Sequence, residues 1–178
     1  MNILCENERG YEYSDNRPYY PSCGCGCGCG CAPQEPGRAI LNVGCGGIGP
    51  MPIISTPLSR PIPVASVSID TTCMCNPKVL LTFTSLICLP ATVAVTLNFI
   101  IIKSLADGAP QPVGGTHTFS EIASVLEAES FAFQYCDCNP ACGNITYTVQ
   151  LEPSSLIAET AGLTITNATL SALAVETL

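Results

Sequence analysis

The chain has 178 residues, 47% of them hydrophobic and only 11% charged, with six Lys and Arg against fourteen Asp and Glu and a formal net charge of -8. That length and apolar content suffice for one domain with a core of its own, held together without metal or disulfide staples. The acidic balance argues against nucleic acid as a partner, because phosphate binding needs a basic patch and Arg9, Arg17, Arg38, Arg60, Lys78 and Lys103 are scattered singly.

Residues 1–38 are polar and rich in Tyr, Pro and Gly, with no apolar periodicity, and read as a flexible arm that cannot bury enough surface to order itself alone. The opening residues Met1 to Arg9 have neither a positive n-region nor an apolar h-region, so no secretory signal is expected there. Within the arm runs Cys23-Gly24-Cys25-Gly26-Cys27-Gly28-Cys29-Gly30-Cys31, in which every second residue is a thiol. Extended, it would carry five thiols in one row roughly 26 Å long, with bare glycine behind. Neighbouring thiols of such a row sit about 6.5 to 7 Å apart at Cα, at the upper edge of disulfide geometry, so their natural partners lie elsewhere.

From Ala39 the pattern becomes β-type, and 39–178 reads as one body. Ala39 to Val43 is a short strand, followed by a turn at Gly44-Cys45-Gly46-Gly47 and a Pro-rich connection through Pro63. Val64 to Asp70 alternates as a half-buried strand, and Lys78 to Ser85 does the same with Val79, Leu81 and Phe83 on one face. Thr92 to Lys103 is the clearest core strand, with Val93, Val95, Leu97, Phe99 and Ile101 in period two. Its apolar stretch is too short to span a bilayer as a helix. Thr116 to Ile122 is a weaker strand. Ser120 to Glu129 fits a short helix as well, but strand then turn is the better reading. Phe131, Phe133 and Tyr135 alternate into Cys136-Asp137-Cys138, and Ile145, Tyr147, Val149 and Leu151 alternate after Gly143-Asn144, which suggests a hairpin. Leu163 to Val175 closes the chain as one long strand or two shorter ones. Eight or so short strands without a convincing helix give an all-β fold, an antiparallel jelly-roll-type β-sandwich behind an extended arm. Its edges lack guarding charge or proline, as expected of strands that another chain pairs, or of strands the protein's own loops cover.

Catalysis finds little support. His117 is the one histidine, and a surface or edge position at a strand start explains it better than a Cys-His or Ser-His unit. No phosphate loop exists, the carboxylates are dispersed, and neither an enzyme nor a cofactor is expected. The thirteen cysteines are odd in number, so a fully oxidised monomer leaves one thiol over or sends it to another molecule. The body holds seven, Cys45, Cys73, Cys75, Cys88, Cys136, Cys138 and Cys142, and the arm holds six, Cys5, Cys23, Cys25, Cys27, Cys29 and Cys31. If the body is fully oxidised, at least one of its seven must bond outside it, and an arm of the same or a neighbouring chain is the available donor. A buried free thiol acting as a small hydrophobe is the alternative for Cys88. A Zn or Cu(I) thiolate cluster is the rival reading, set back by the presence of a core and by spacings unlike those of structural zinc sites.

The stretch Val67-Ser68-Ile69-Asp70-Thr71-Thr72-Cys73-Met74-Cys75-Asn76-Pro77-Lys78-Val79, together with Phe131-Ala132-Phe133-Gln134-Tyr135-Cys136-Asp137-Cys138, resembles an uncharacterised cysteine-rich domain family of anaerobic spore-forming bacteria. By plan, a cysteine-bearing arm before a small jelly roll resembles the subunits of endospore appendages. That resemblance implies a subunit that polymerises with itself, its arm reaching neighbours and cross-linking them by disulfides. It also implies an extracellular place on the spore surface, reached without a signal peptide when the mother cell lyses. The expectation is therefore a filament subunit, with a metal-thiolate protein or a non-filamentous cross-linked coat component as alternatives.

Overall fold

The computed structural model of the chain describes residues 37–51, 60–106, 108–158 and 162–176. Cys5 and the Cys-Gly run Cys23 to Cys31 lie outside the described residues. The body is built from β1 (Ala39–Ile48), β2 (Ile62–Asp70), β3 (Pro77–Leu89), β4 (Val93–Leu105), β5 (Gln111–Ala123), β6 (Glu127–Asp137), β7 (Asn144–Leu151), β8 (Leu156–Ala158) and β9 (Thr164–Glu176). One sheet has the order β1-β9-β3-β6 and the other β2-β7-β4-β5, with the short β8 pairing on β4. Every pairing is antiparallel. One sheet of four strands and one of four with β8 added pack as the expected jelly-roll sandwich, and no helix occurs among the described residues.

Alternation explains the layers. Along β3, Val79, Leu81, Phe83, Ile87 and Leu89 are buried while Lys78, Leu80, Thr82 and Thr84 face out, and along β4 Val93, Val95, Leu97, Phe99 and Ile101 are buried. Tyr147, Val149 and Leu151 of β7 and Leu170, Ala172 and Ala174 of β9 complete the core between the sheets. Each fully buried side chain of Leu or Phe size contributes roughly 1.5 to 3 kcal/mol, which is what offsets the cost of ordering so long a set of strands.

The two sides of the sandwich close by different means. On one side β1 lies directly on β2: Asn42 donates its side-chain amide to the Ser68 carbonyl at 2.8 Å. A Cβ at Gly44 would stand 1.7 Å from the Ser66 carbonyl oxygen, and one at Gly46 would stand 1.9 Å from that of Val64. Three alternate residues of β1 thus meet three alternate carbonyls of β2, and only glycine allows the last two approaches. Gly44-Cys45-Gly46 is accordingly strand rather than the expected turn, and β1 runs on to Ile48. The edge of β2 is covered by the chain itself along this line.

On the other side aromatic rings fill the gap between β5 and β6. Phe83 packs on Phe133 at 5.0 Å between centroids, Phe131 packs on Phe99 at 5.0 Å, and Phe119 meets Phe131 edge-on at 5.7 Å. The ring of His117 stacks on Phe133 at 3.9 Å and 7°. His117 thus sits within the edge strand β5, at a pairing opposite Phe99, and not at a strand start. Its ring turns inward.

Strand lengths exceed the sequence expectation at most places, and one connection differs in kind. The runs through Tyr135 and after Gly143 are not a hairpin: β6 pairs with β3 in one sheet and β7 with β2 and β4 in the other. Residues 138–143 carry the chain across the end of the sandwich, and that crossing sets up the chemistry there.

Candidate cross-linking site

The outward face of the β1-β9-β3-β6 sheet bears three of the body cysteines. Cys45 stands on β1 opposite Thr169, Cys88 on β3 opposite Thr164 and Ala128, and Cys136 on β6 opposite Leu80. The row through Cys136 is apolar across the sheet, since Leu41 pairs with Leu173, Leu173 with Leu80, and Leu80 with Cys136. Leu41 is 62% exposed and Leu80 38%. With strands about 4.8 Å apart, this row spans roughly 14 Å from β1 to β6. Cys88 is half-buried and faces out, its Sγ 4.0 Å from Thr166 Oγ1, so it does not act as a core hydrophobe.

Five of the seven body cysteines gather at one end of the sandwich, on the segments 71–76 and 136–142. The two segments are tied by backbone and hydroxyl. Thr71 donates its N–H to the Gly143 carbonyl at 2.9 Å and its buried hydroxyl to the Ala141 carbonyl at 2.9 Å. Cys142 Sγ lies 3.6 Å from the Thr72 carbonyl oxygen. Asp70 accepts the Thr72 N–H at 2.9 Å, and the Thr72 hydroxyl and N–H together hold the Asp70 carboxyl below its usual range. Cys75 and Cys142 are disulfide-bonded. Cys73 is exposed, and Cys45, Cys88, Cys136 and Cys138 carry free thiols.

Cys136 and Cys138 form a close pair. The Cys138 thiol donates to Cys136 Sγ at 3.6 Å, and both residues are exposed. In a straight strand two residues of one face would hold their Cα atoms about 6.5 to 7 Å apart, so the approach depends on the chain bending where β6 ends at Asp137. Asp137 makes that bend rigid. Its carboxylate is buried, accepts from Lys103 Nζ at 2.7 Å and from the Tyr147 hydroxyl at 2.8 Å, and takes the Asn139 N–H at 3.2 Å. Lys103 and Tyr147 belong to the opposite sheet, so Asp137 staples the two sheets and presents its flanking thiols outward. Burial raises the Cys136 thiol above its ordinary value, with the hydrogen bond and charge of Cys138 adding to it. Burial and the Asp137 carboxylate push Tyr147 far up, so it stays a donor at any working pH.

The described chain begins at this same end. Arg38 donates its N–H to one oxygen of the Glu176 carboxylate at 3.0 Å, and Cys75 donates its N–H to the other at 3.1 Å. Glu176 returns its own N–H to the Arg38 carbonyl at 3.0 Å. Ala39 opens β1 opposite Val175, which pairs with Lys78. Neither Glu176 nor the Asp137 staple stands out in the sequence, where Glu176 is a lone carboxylate at the end of an apolar strand and Asp137 is one of three on β6. The only signal was a single Lys103 ending the most apolar strand. Among the described residues no three His, Cys, Asp or Glu side chains come together in a group that could hold a metal. Nor is any helix among them long and apolar enough to cross a membrane.

A family model described as "Domain of unknown function (DUF4489)" matches residues 37–175. No curated protein matches the chain. Among solved structures, the fold is similar to an Eiger TNF from S. frugiperda at 11% identity and a TM-score of 0.44, covering 79% of this chain and 93% of that one. It is also similar to the infectious bursal disease virus Gx strain structure at 12% identity and a TM-score of 0.45, covering 79% and 32%. A carbohydrate-binding module, CBM35 from Cellvibrio japonicus Abf62, aligns at 14% identity and a TM-score of 0.25 over 79% and 99%.

Proposed function

The chain belongs to the DUF4489 family over residues 37–175, and for it we propose a structural role: a subunit that polymerises with itself into an extracellular filament, on the spore surface. The arm of one subunit docks on the next and is locked there by disulfides. The observation that carries this reading is the position of the arm's root. The Glu176 carboxylate holds the amides of Arg38 and Cys75 side by side, so the thiol-bearing arm departs from the end of the body where five body cysteines are gathered. Each copy thus carries both a thiol-bearing donor and a set of candidate acceptor thiols, which is what a head-to-tail link between identical subunits needs. The apolar row from Leu41 to Cys136 on the adjoining face supplies surface for non-covalent docking.

A covalent lock has a clear signature, because non-covalent stacking yields to heat or detergent while a disulfide survives both until a thiolate attacks it. Negative-stain microscopy of the oxidised full chain should show filaments. Boiling in detergent should leave high-mass ladders that collapse to monomer only with reductant. Replacing Cys23, Cys25, Cys27, Cys29 and Cys31 together by Ser should bring the ladder to monomer in detergent alone. Filaments without a ladder would leave a non-covalent polymer, and a ladder without filaments would favour a cross-linked coat component. Stoichiometric zinc or copper on reduced protein purified without chelator would replace this function with metal-thiolate binding.

A further inference from the structure

Cys136 and Cys138 form a close pair of free thiols, and the pair is different in kind from Cys45 and Cys88. A solitary thiol cannot store an oxidised state as a bond of its own: it enters a disulfide only with an oxidant at hand or by exchange with a disulfide already made. Two thiols 3.6 Å apart can be oxidised together, hold the oxidised state as a bond, and surrender it later to a third thiol. We propose that Cys136 and Cys138 are the acceptor for the Cys-Gly run, working by disulfide exchange. This deepens the filament reading by naming the body residues that receive the arm.

The chemistry balances in two steps. A two-electron oxidant of the class of molecular oxygen removes two electrons and two protons from the pair and leaves a Cys136–Cys138 bond. A thiolate of the run then attacks one of these sulfurs, a new disulfide forms, the old one breaks, and the displaced sulfur leaves as a thiolate that takes a proton from water. No electron is gained or lost in the second step. A ring closed over a single intervening residue needs bent geometry, and bent disulfides are the readily exchanged ones. The displaced thiol stays beside the new bond and can reverse it, so a wrongly placed arm thiol can be released and its neighbour two residues along tried instead.

Position and rigidity support the assignment. Asp137, held by Lys103, Tyr147 and the Asn139 amide, fixes the backbone between the two thiols, so the pair keeps its outward presentation whether or not an arm is bound. The sheet bearing Cys136 has β1 at its opposite edge, with the arm's root at the same end as the pair. Cys31 precedes Gly37 by six residues, a reach of at most roughly 20 Å, against roughly 14 Å across the sheet. The chain's own run and that of a neighbour present the same chemistry, and the isotope arm of the experiment separates them.

The test uses the full chain. In the first arm, the variant with Ser at 23, 25, 27, 29 and 31 is oxidised with diamide, the excess is removed, and a fluorescent Gly-Cys-Gly peptide is added. About one label per chain is expected, mapped by mass spectrometry to Cys136 or Cys138. It should fall at least tenfold when Cys136→Ser and Cys138→Ser are added and stay unchanged with Cys45→Ser and Cys88→Ser. Label on Cys45, Cys73, Cys75, Cys88 or Cys142 in place of the pair, or undiminished label without the pair, overturns the proposal. In the second arm, heavy- and light-isotope wild-type chains are mixed reduced and then oxidised, and cross-linked peptides are sequenced. Run peptides joined to the peptide holding Cys136 and Cys138 are expected, in mixed heavy–light pairs. Same-isotope pairs alone would keep the acceptor and sink the filament lock, whereas mixed pairs joined at other body cysteines would keep the lock and sink the acceptor.

Discussion

Gly44→Ala tests the closure of the sandwich along β1 and β2. The added Cβ would lie 1.7 Å from the Ser66 carbonyl oxygen, where ordinary contact begins at 3.4 Å, so β1 must retreat by about 1.7 Å. A retreat of that size stretches the Asn42 to Ser68 hydrogen bond from 2.8 Å past any useful length. Overpacking of this kind costs about 1 to 3 kcal/mol and the lost hydrogen bond about 1 more, so a total of roughly 2 to 4 kcal/mol is expected. Urea unfolding of the full chain, followed by circular dichroism in reductant so that cross-links do not contribute, should show the midpoint fall by about 1 to 2 M at an ordinary m-value. Gly49→Ala is the control, since a Cβ there meets nothing within 4 Å. It should stay within about 0.5 kcal/mol of wild type. A Gly44→Ala protein as stable as the Gly49→Ala protein would refute the claim that glycine is needed for β1 to lie on β2.

Asp137→Ala leaves the Lys103 ammonium and the Tyr147 hydroxyl buried without their acceptor and should cost about 3 to 5 kcal/mol in the same unfolding assay; a loss under about 1 kcal/mol would show that the staple is dispensable. Burial lowers the His117 pKa and its Nε2 is buried without a partner, so the folded state disfavours its protonation. The depressed group gives stability that is present above the unfolded value of 6.5 and lost as pH falls through the folded one. His117→Phe keeps the stack on Phe133 and should flatten the fall in stability between pH 7.5 and 5.5, and an unchanged slope would assign it to other groups. A chain beginning at Gly37 should fold as a β-rich monomer or small oligomer by circular dichroism and sedimentation and form no fibres, whereas long filaments from it would remove the arm from assembly.

Period-two alternation was enough to find the strands, because a sandwich with a dry interior demands it: Val93 to Ile101 and Val79 to Phe83 are buried in the order in which they alternate. What alternation leaves open is which sheet a strand joins. Gly143 and Asn144 look like a hairpin turn between two alternating runs, yet the chain there passes from one sheet to the other. Gly44-Cys45-Gly46-Gly47 misled for a related reason, since glycine marks both a sharp turn and a close backbone approach, and only the carbonyls of Ser66 and Val64 tell the two apart. At the candidate site, the cysteines were visible by type, but their grouping depends on Asp137 meeting Lys103 and Glu176 meeting Arg38, at separations of 34 and 138 residues. No local pattern encodes contacts of that range.

The single carboxylate of Glu176 has a mechanical meaning. In a filament of the proposed kind, a subunit pulled between Arg38 and the proposed acceptor thiols at the far strand of the same sheet would carry tension across the strands, along the hydrogen bonds, rather than down the strand axes. Loading of that kind opens a sheet rung by rung from one end, as a zipper parts, instead of straining all rungs together. The first rung in that path would be the one Glu176 makes with Arg38 and Cys75. A thread of such units would lengthen under load by parting at these ends and recover as the rungs re-form, so its compliance would reside in one residue per subunit while its disulfides set the limit of extension.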